Sequence, residues 1–304
     1  MIRYLSIAVL LVLAASGFAQ RAWWEQQNPR PQSTSLYDVS MLDATTYVTV
    51  GESGVVLKTT DDGLTWNRQM ITQPQSRLTK VAFSPDKLHG ITISTAGKIY
   101  CTTDAGATWE LSPHTDTTVM TGICFRTTFE AYAVGRSGRF IKTTDAGKTW
   151  VRLAMEIPDV LQGIHFPDSL HGFICAKSGI FYTTTDGGLT WQRREFPSGN
   201  SLYAIHAANA NEVIAVGETG GVFLSNDGGN SWAQQKIAWG LPFLDAVRLN
   251  PVTTYLQLMI DAAAEQQLAV GQTAGQVTGF IHARPGRGTE RIGNKSFRGE
   301  RRTI

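Results

Sequence analysis

The sequence predicts an all-β fold, a six-bladed β-propeller whose blades are four-stranded antiparallel sheets. Three observations lead to this prediction. A nine-residue motif, first seen as Lys58–Trp66, occurs five times, the Trp residues of successive copies are 43, 41, 41 and 41 residues apart, and each repeat contains four strand-like apolar runs. A period near 41 residues with four strands is typical of propeller blades, none of which buries its apolar faces alone.

The motif itself predicts a tight turn between the third and fourth strands of each blade. Its Asp side chain accepts backbone N–H groups, its Gly adopts positive φ, and its Trp is large enough to fill the gap between neighbouring blades. The spelling resembles the Asp-box, or bacterial neuraminidase repeat, which closes the outer hairpin of propeller blades. The Asp and Trp positions are Asp61, Trp66, Asp104, Trp109, Asp145, Trp150, Asp186, Trp191, Asp227 and Trp232.

The five motif aspartates also raise the question of catalysis, because glycoside hydrolysis uses paired carboxylates. The repeat places one Asp on each blade, at the outer rim, so the five side chains are expected to lie far apart. We therefore predict a structural role for all five and no catalytic residue. Asp61-Asp62-Gly63 has too few oxygen ligands nearby for calcium, and we expect no metal and no cofactor.

The amino terminus has the pattern of a secretory signal peptide. Arg3 precedes the apolar run Leu5–Ala15, and Gly17-Phe18-Ala19 provides small residues for cleavage after Ala19. We predict that residues 1–19 are removed and that the mature protein is exported, to a periplasmic, extracellular or outer-surface location. The apolar run is too short for a membrane span, which needs about 20 residues.

Within a repeat, a turn of the form Gly-x-Ser-Gly or Gly-x-Thr-Gly leads into the third strand, as in Gly51–Gly54. The third strands carry apolar residues on both faces, as expected for a sheet between two other sheets. The three cysteines, Cys101, Cys124 and Cys175, are predicted to be buried free thiols, since an odd number cannot pair completely.

A sixth unit lacks the Asp-box. Phe243–Leu249, Gln267–Gly271 and Gln276–Phe280 are predicted as its first three strands, with residues 252–264 as a short helix or bulging loop. Because Ala22–Gln27 is similar to the Trp-led strands of other repeats, we predict that it supplies the fourth strand and closes the ring. The propeller is therefore assigned to residues 20–283, with seven blades as the alternative.

Residues 284–304 are basic and lack apolar periodicity, which predicts a disordered tail. The net charge is +2 for the whole chain, but the repeat region without this tail is mildly acidic. That balance argues against a nucleic-acid partner. We expect a monomer.

The turn between the second and third strands is where the repeats differ most. The residue after its first Gly, or the equivalent residue, changes in charge while the backbone pattern is kept, as on a rigid frame that presents a recognition surface. Ordinary variation of a solvated turn is the competing explanation. The predicted binding residues are Glu52, Arg136, Lys177 and Glu218, with Tyr37 and Tyr203 at the same channel mouth; Thr95 and Gln272 occupy the equivalent turn positions.

The segment Arg136–Trp150 resembles the photosystem II stability/assembly factor-like propellers most closely. The resemblance implies an exported, non-catalytic propeller that binds a partner protein, such as a membrane complex during assembly. Of the basic patch found in that family, this chain has Arg136 and Lys177, flanked by acidic residues.

Two alternatives remain open, a glycosidase of sialidase or xyloglucanase type and a carbohydrate-binding propeller. A sialidase needs an arginine cluster for the substrate carboxylate, and only Arg21 and Arg30 occur between Gln20 and Thr59. A xyloglucanase needs long loops, for which repeats of 41 residues leave little room. A carbohydrate-binding propeller would use its Trp residues on glycan, whereas the repeat pattern places them between blades.

Overall fold

The computed structural model describes residues 35–71, 76–113, 118–153, 157–235, 243–248, 253–259, 266–273 and 276–283. In these ranges the strands form six four-stranded sheets, and every neighbouring pair of strands is antiparallel. The all-β prediction is confirmed. Among the same residues, no helix is long and apolar enough to serve as a membrane span.

Each of the first three sheets is a simple meander in chain order. Their strands are β1 (Leu36–Met41), β2 (Tyr47–Gly51), β3 (Val55–Thr59) and β4 (Asn67–Met70); β5 (Leu78–Phe83), β6 (Gly90–Ser94), β7 (Ile99–Thr102) and β8 (Glu110–Ser112); and β9 (Met120–Phe125), β10 (Ala131–Gly135), β11 (Phe140–Thr143) and β12 (Val151–Arg152).

The next three sheets repeat the same order. Their strands are β13 (Leu161–His165), β14 (Gly172–Ala176), β15 (Ile180–Thr184) and β16 (Gln192–Glu195); β17 (Leu202–Ala207), β18 (Val213–Gly217), β19 (Val222–Ser225) and β20 (Ala233–Gln235); and β21 (Phe243–Arg248), β22 (Thr253–Met259), β23 (Gln266–Thr273) and β24 (Gln276–Ala283).

The sheets follow one another around an axis in the manner of propeller blades. The first strand of each sheet contacts the first strand of the next, from β1 to β5 and onward to β21. The first strands therefore surround the axis, and the fourth strands lie at the outside. In each sheet, the turn between the second and third strands and the Asp-box turn between the third and fourth lie on opposite faces, because successive hairpins of a meander point in opposite directions.

The core lies between neighbouring sheets. Between the third and fourth sheets, for example, Tyr132 and Phe140 pack with Ile164, and the half-buried Trp191 lies against them. The third strands are buried on both faces, which confirms the prediction for sandwiched sheets. The pairs concerned are Val56 and Leu57, Ile99 and Tyr100, Phe140 and Ile141, Phe181 and Tyr182, and Val222 and Phe223.

The turns between the second and third strands have the tight geometry that the Gly-x-Ser-Gly pattern predicted. In the third sheet, Ser137 has φ 56° and Gly138 has φ 62°. A Cβ atom on Gly138 would lie 1.6 Å from the carbonyl oxygen of Ile157, which precedes the next sheet. Glycine is therefore required here by its backbone conformation and by the close approach of the neighbouring segment.

The sixth sheet differs from the prediction. Thr253–Met259 forms β22, which pairs with both β21 and β23, and is not a helix or loop. The strands predicted as second and third are consequently the third and fourth, and Gln272 lies within β23 and not in a turn. Alternation in Thr253–Met259 was missed because the segment has no Asp-box to set its register. The sixth sheet reaches four strands without an amino-terminal contribution.

Three predictions fall on residues outside the described ranges. These are the signal peptide at residues 1–19, the closing strand at residues 22–27 and the basic tail at residues 284–304. The three cysteines are described, and all of them are free thiols; Cys101 and Cys175 are buried, whereas Cys124 is half-buried.

Candidate functional site: the turn face

In each of the first five sheets a turn connects the second strand to the third. These five turns lie together around one end of the axis, and we call this surface the turn face. It contains the 3₁₀ turns Glu52–Gly54, Arg136–Gly138 and Glu218–Gly220, together with the turns that begin at Thr95 and Lys177. The candidate binding residues predicted from the sequence all belong to these turns or to the strands beside them.

One backbone hydrogen bond recurs at this face in all five sheets. The N–H of the variable residue donates to the carbonyl oxygen of a residue just before the first strand of the same sheet, at distances from 2.8 to 3.4 Å. The backbone is therefore held alike in every repeat, while the side chain is free to differ. The donors are Glu52, Thr95, Arg136, Lys177 and Glu218, and the acceptors are Ser35, Arg77, Val119, Val160 and Ser201.

Glu52 is held by two neighbours. The hydroxyl of Tyr37 donates to Glu52 Oε2 at 2.6 Å, and Arg77 Nη2 lies 3.1 Å from Glu52 Oε1. The Arg77 guanidinium also lies over the Tyr37 ring, with 4.9 Å between Cζ and the ring centroid, which is a cation–π contact. The side chains of Tyr37 and Glu52 thus form an organised corner between the first and second sheets.

The fifth sheet repeats the Tyr–Glu pair. The hydroxyl of Tyr203 donates to Glu218 Oε1 at 3.2 Å, and the N–H of Ser201 donates to Glu218 Oε2 at 3.2 Å. The N–H of Ser201, with smaller effects from Tyr203 and Lys177, lowers the pKa of Glu218, and burial raises the pKa of Tyr203. Glu218 is therefore an anion held in place at neutral pH.

The two basic residues are presented differently. Arg136 and Lys177 are exposed, on adjacent sheets, and within the described ranges neither side chain makes a hydrogen bond or an ion pair. Their charges are therefore available to a ligand from solution. The turn face has a basic side at the third and fourth sheets and held carboxylates at the first and fifth.

The Asp-box aspartates lie at the opposite face, one on each of the first five sheets. In the third sheet, Asp145 accepts from the hydroxyl of Thr143 at 2.7 Å and from the N–H of Thr149 at 2.8 Å. The same two bonds recur at Asp61, Asp104, Asp186 and Asp227. These carboxylates are occupied by their own turns. In the described part of the chain, no group of three metal-ligating side chains is present.

A cluster of charged side chains at the axis was not predicted. Each first strand has an irregular register near its start, and the residue just after the irregularity occupies an equivalent position in all six sheets. Three of the six sheets have Gly or Ala at this position and three have a charged residue. This difference was the available sequence signal. The six residues are Asp38, Lys80, Gly122, Gly163, Ala204 and Asp245.

Two histidines, for which the sequence showed no ligand spacing, also meet near the axis. The rings of His165 and His206 have centroids 4.0 Å apart, and the N–H of Ala207 donates to His165 Nδ1 at 3.2 Å. Burial lowers the pKa of His206 to about 4 and lowers that of His165 well below its ordinary value. Both rings are therefore neutral at pH 7. They were missed because equivalent positions in strands 41 residues apart become neighbours only when the sheets form a ring.

Comparison with known families agrees with this geometry. A family model described as the photosynthesis system II assembly factor YCF48 matches residues 16–111, 72–158 and 151–244. The chain belongs to this family. The matched residues include all five Asp-box repeats, so membership rests on the repeat region and not on a single motif. A comparison with curated proteins found no match.

Solved structures show the same fold at low identity. The chain is similar to YCF48 bound to D1 peptide, with 20% identity, a TM-score of 0.63, and coverage of 83% of this chain and 82% of that one. It is also similar to YCF48 from Cyanidioschyzon merolae, with 18% identity, a TM-score of 0.62, and coverage of 83% and 87%. An ancestral GH74 enzyme is 15% identical with a TM-score of 0.65, covering 86% of this chain and 40% of the enzyme.

Proposed function

We propose that this protein is a non-catalytic, protein-binding factor that supports the assembly or stability of a membrane or envelope complex. Family membership supports the assembly role, and the turn face supports binding. The observation that carries the proposal is the repeated backbone anchor of the turn face, which holds five turns alike while their exposed side chains differ in charge. A rigid frame with variable turn residues is the usual design of a recognition surface.

The contact is assigned to Arg136 and Lys177. Both are exposed and lack an intramolecular ion pair in the described residues, so a partner carboxylate can bind them without first breaking a bond. Glu52 and Glu218, held by Tyr37 and Tyr203, border this basic side and would repel an acidic segment placed across them. The partner is therefore expected to present an acidic segment over the third and fourth sheets.

The remaining parts of the proposal concern location and architecture. The amino-terminal pattern supports export with cleavage after Ala19, and the repeat count supports a monomeric ring of six blades. Amino-terminal sequencing of the protein from its own host tests the first point, with Gln20 as the expected first residue. The mass in solution tests the second.

The binding surface is tested by charge reversal. Wild-type protein and the double variant Arg136→Glu, Lys177→Glu are immobilised and exposed to a detergent extract of membranes from the native host. We expect wild type to retain a membrane protein and the double variant to lose at least about tenfold of it, which corresponds to 1.4 kcal/mol. Because both side chains are exposed and make no ion pair within the described ranges, the melting temperature should not change.

The matched control is the double variant Lys148→Glu, Arg152→Glu, which makes the same charge change at exposed residues away from the turn face. It should retain the partner as wild type does. Equal retention by both double variants would exclude Arg136 and Lys177 as the contact. Turnover of aryl glycosides or xyloglucan by the purified protein would contradict the non-catalytic assignment.

A further inference from the structure

The six first strands do not meet the axis in the same way. On one side of the ring the strand backbones approach each other closely, since a Cβ atom on Gly122 would lie 2.9 Å from the Cα of Gly163. A Cβ atom on Gly163 would lie 3.2 Å from Cys175 Sγ. The third and fourth sheets therefore leave no room for a side chain at Gly122, and the space at Gly163 is tight.

The other side of the ring is occupied by three charged side chains. Lys80 Nζ of the second sheet lies 3.0 Å from Asp245 Oδ2 of the sixth. Asp38 of the first sheet accepts the N–H of Val81 at 2.9 Å, next to Lys80 in β5. Burial raises the pKa of Asp38 to about 6, Lys80 opposes the rise and Asp245 adds to it, which places all three groups within electrostatic reach of one another. One ammonium group thus faces two carboxyl groups.

Among the described residues, the first sheet exposes apolar side chains at positions that other sheets bury. In the second, fourth and fifth sheets, the residue after the axis position packs against the preceding sheet and is 5 to 6% exposed: Val81, Ile164 and Ile205. The equivalent residue of the first sheet, Val39, is 61% exposed, and Met41 on the same face of β1 is also 61% exposed. In a ring, the sheet that precedes the first is the sixth.

We propose that Lys80 and Asp245, with Asp38 hydrogen-bonded to the backbone beside Lys80, form an ionic lock that closes the ring by holding the sixth sheet to the first and second. The sixth sheet is packed against the fifth through β17 and β18, and the lock supplies its attachment on the other side. The pair between Lys80 and Asp245 bridges the axis directly, and Asp38 ties the same point to the first sheet. This inference does not depend on the proposed function.

A lock made of charges has a property that an apolar junction lacks. The side chains of Lys80 and Asp245 are 31% and 33% exposed, so dissolved ions reach them and screen their attraction. Salt strengthens apolar burial or leaves it unchanged. The junction between the sixth and first sheets should therefore loosen as ionic strength rises, while the junctions among the second to fifth sheets should not.

Hydrogen exchange of the full chain measures this directly. We expect exchange in β1 and β21 to accelerate between 50 mM and 1 M sodium chloride, with no acceleration in β10 or β14. Lys80→Met keeps the aliphatic stem and removes the charge, and it should accelerate exchange in β1 and β21 at least about tenfold in low salt. Lys148→Met, at an exposed Asp-box lysine, should leave both strands as in wild type.

A second measurement needs no variant. A carbodiimide joins an amine to a carboxylate in direct contact as an amide, with loss of water, and the linked peptides are found by mass spectrometry. Lys142 Nζ and Glu130 Oε1, 2.6 Å apart, provide the internal positive control. A Lys80–Asp245 link beside the Lys142–Glu130 link supports the lock. The control link alone, or exchange in β1 and β21 that is unaffected by both salt and Lys80→Met, overturns it.

Discussion

Trp232 meets Phe181 edge to face, with ring centroids 5.6 Å apart and ring planes at 88°. The Trp belongs to the Asp-box of the fifth sheet and the Phe to the third strand of the fourth, so the contact joins two sheets. Phe196 completes the group, 4.7 Å from Trp232 between centroids. The Asp-boxes of the second to fifth sheets thus have two roles, because the Asp closes a turn and the Trp packs against the preceding sheet.

This packing predicts a large loss of stability in Trp232→Ala. The substitution removes an aromatic side chain from a cluster that includes Phe173, Phe181 and Phe223, and leaves a cavity. We expect the free energy of unfolding, measured with urea, to fall by about 3–5 kcal/mol. Leu189→Ala is the control, since Leu189 is 79% exposed in an Asp-box turn and should change stability by less than about 0.5 kcal/mol. Similar small losses in both variants would mean that the Trp does not contribute to the core.

A second prediction concerns Glu130, whose carboxylate joins side chains from two strands of the third sheet and from the turn after β9. Arg126 Nε lies 3.0 Å from Glu130 Oε1, and Lys142 and Tyr132 contact the same carboxylate. The side chains of Glu130 and Arg126 are only 14% and 19% exposed, so Glu130→Gln leaves a partly buried arginine without its anion. We expect a loss of about 3 kcal/mol in urea unfolding.

The matched control is Glu195→Gln. Glu195 also faces an arginine, with Arg193 Nη1 3.6 Å from Oε1, but its side chain is 82% exposed. Exposed pairs contribute little, so the change should be below about 0.5 kcal/mol. A loss at Glu195 equal to that at Glu130 would show that burial does not determine the effect.

A third prediction separates backbone strain from steric contact at glycine. Gly138 and Gly199 have φ values of 62° and 67°, but a Cβ atom would lie 1.6 Å from Ile157 O at the first and would touch nothing within 4 Å at the second. Gly199→Ala should therefore cost about 1 kcal/mol, from conformation alone. Gly138→Ala should cost at least about 3 kcal/mol, as the neighbouring segment must move. Equal losses on thermal unfolding would refute the steric contribution.

A fourth prediction concerns pH, where two groups at the axis act in opposite directions. The pKa of Asp38 is raised from 3.8 to about 6, mainly by burial, so its contribution to stability is full below pH 3.8 and is lost as pH rises through 6. The pKa of His206 is lowered from 6.5 to about 4 by burial, so its contribution is full above pH 6.5 and is lost as pH falls through 4.

The pKa of His165 is also lowered by burial, so His165 acts in the same direction as His206, and the urea midpoint of wild type should rise with pH between 4 and 6.5. Asp38→Asn should leave both histidine contributions unopposed, so that the midpoint rises more steeply than in wild type. His206→Gln should leave His165 opposed by Asp38, so that the midpoint rises less steeply. Parallel profiles for the two variants would show that these groups do not titrate as the structure indicates.

Much of the fold was predictable from local sequence. The Asp-box contains all the residues that its turn needs, since Thr143, Asp145 and Thr149 form hydrogen bonds with one another within seven residues. The four-strand period follows from the apolar runs between such turns. Where the motif is absent, as in the sixth sheet, the same reasoning took the strand Thr253–Met259 for a helix or loop.

The turn face was only partly predictable. The sequence identified Glu52, Arg136, Lys177 and Glu218 as variable turn residues, because comparison of the repeats shows which positions carry different residues. It did not reveal that Tyr37 and Tyr203 hold the two glutamates, whereas the two basic side chains make no hydrogen bond or ion pair in the part of the chain that the structure describes. Those contacts join residues 15 positions apart, and they depend on how a first strand lies beside its own turn.

The amino-acid sequence by itself determined the repeating unit. A turn needs only neighbouring residues to form, and the apolar pattern of a short segment is enough to form and bury a strand. Tertiary structure alone decided what meets at the axis. Lys80 and Asp245 are 165 residues apart and carry no shared motif, and the two side chains become partners only because the ring brings the second and sixth sheets to one centre. Contacts of that kind depend on how all the sheets are arranged around the axis.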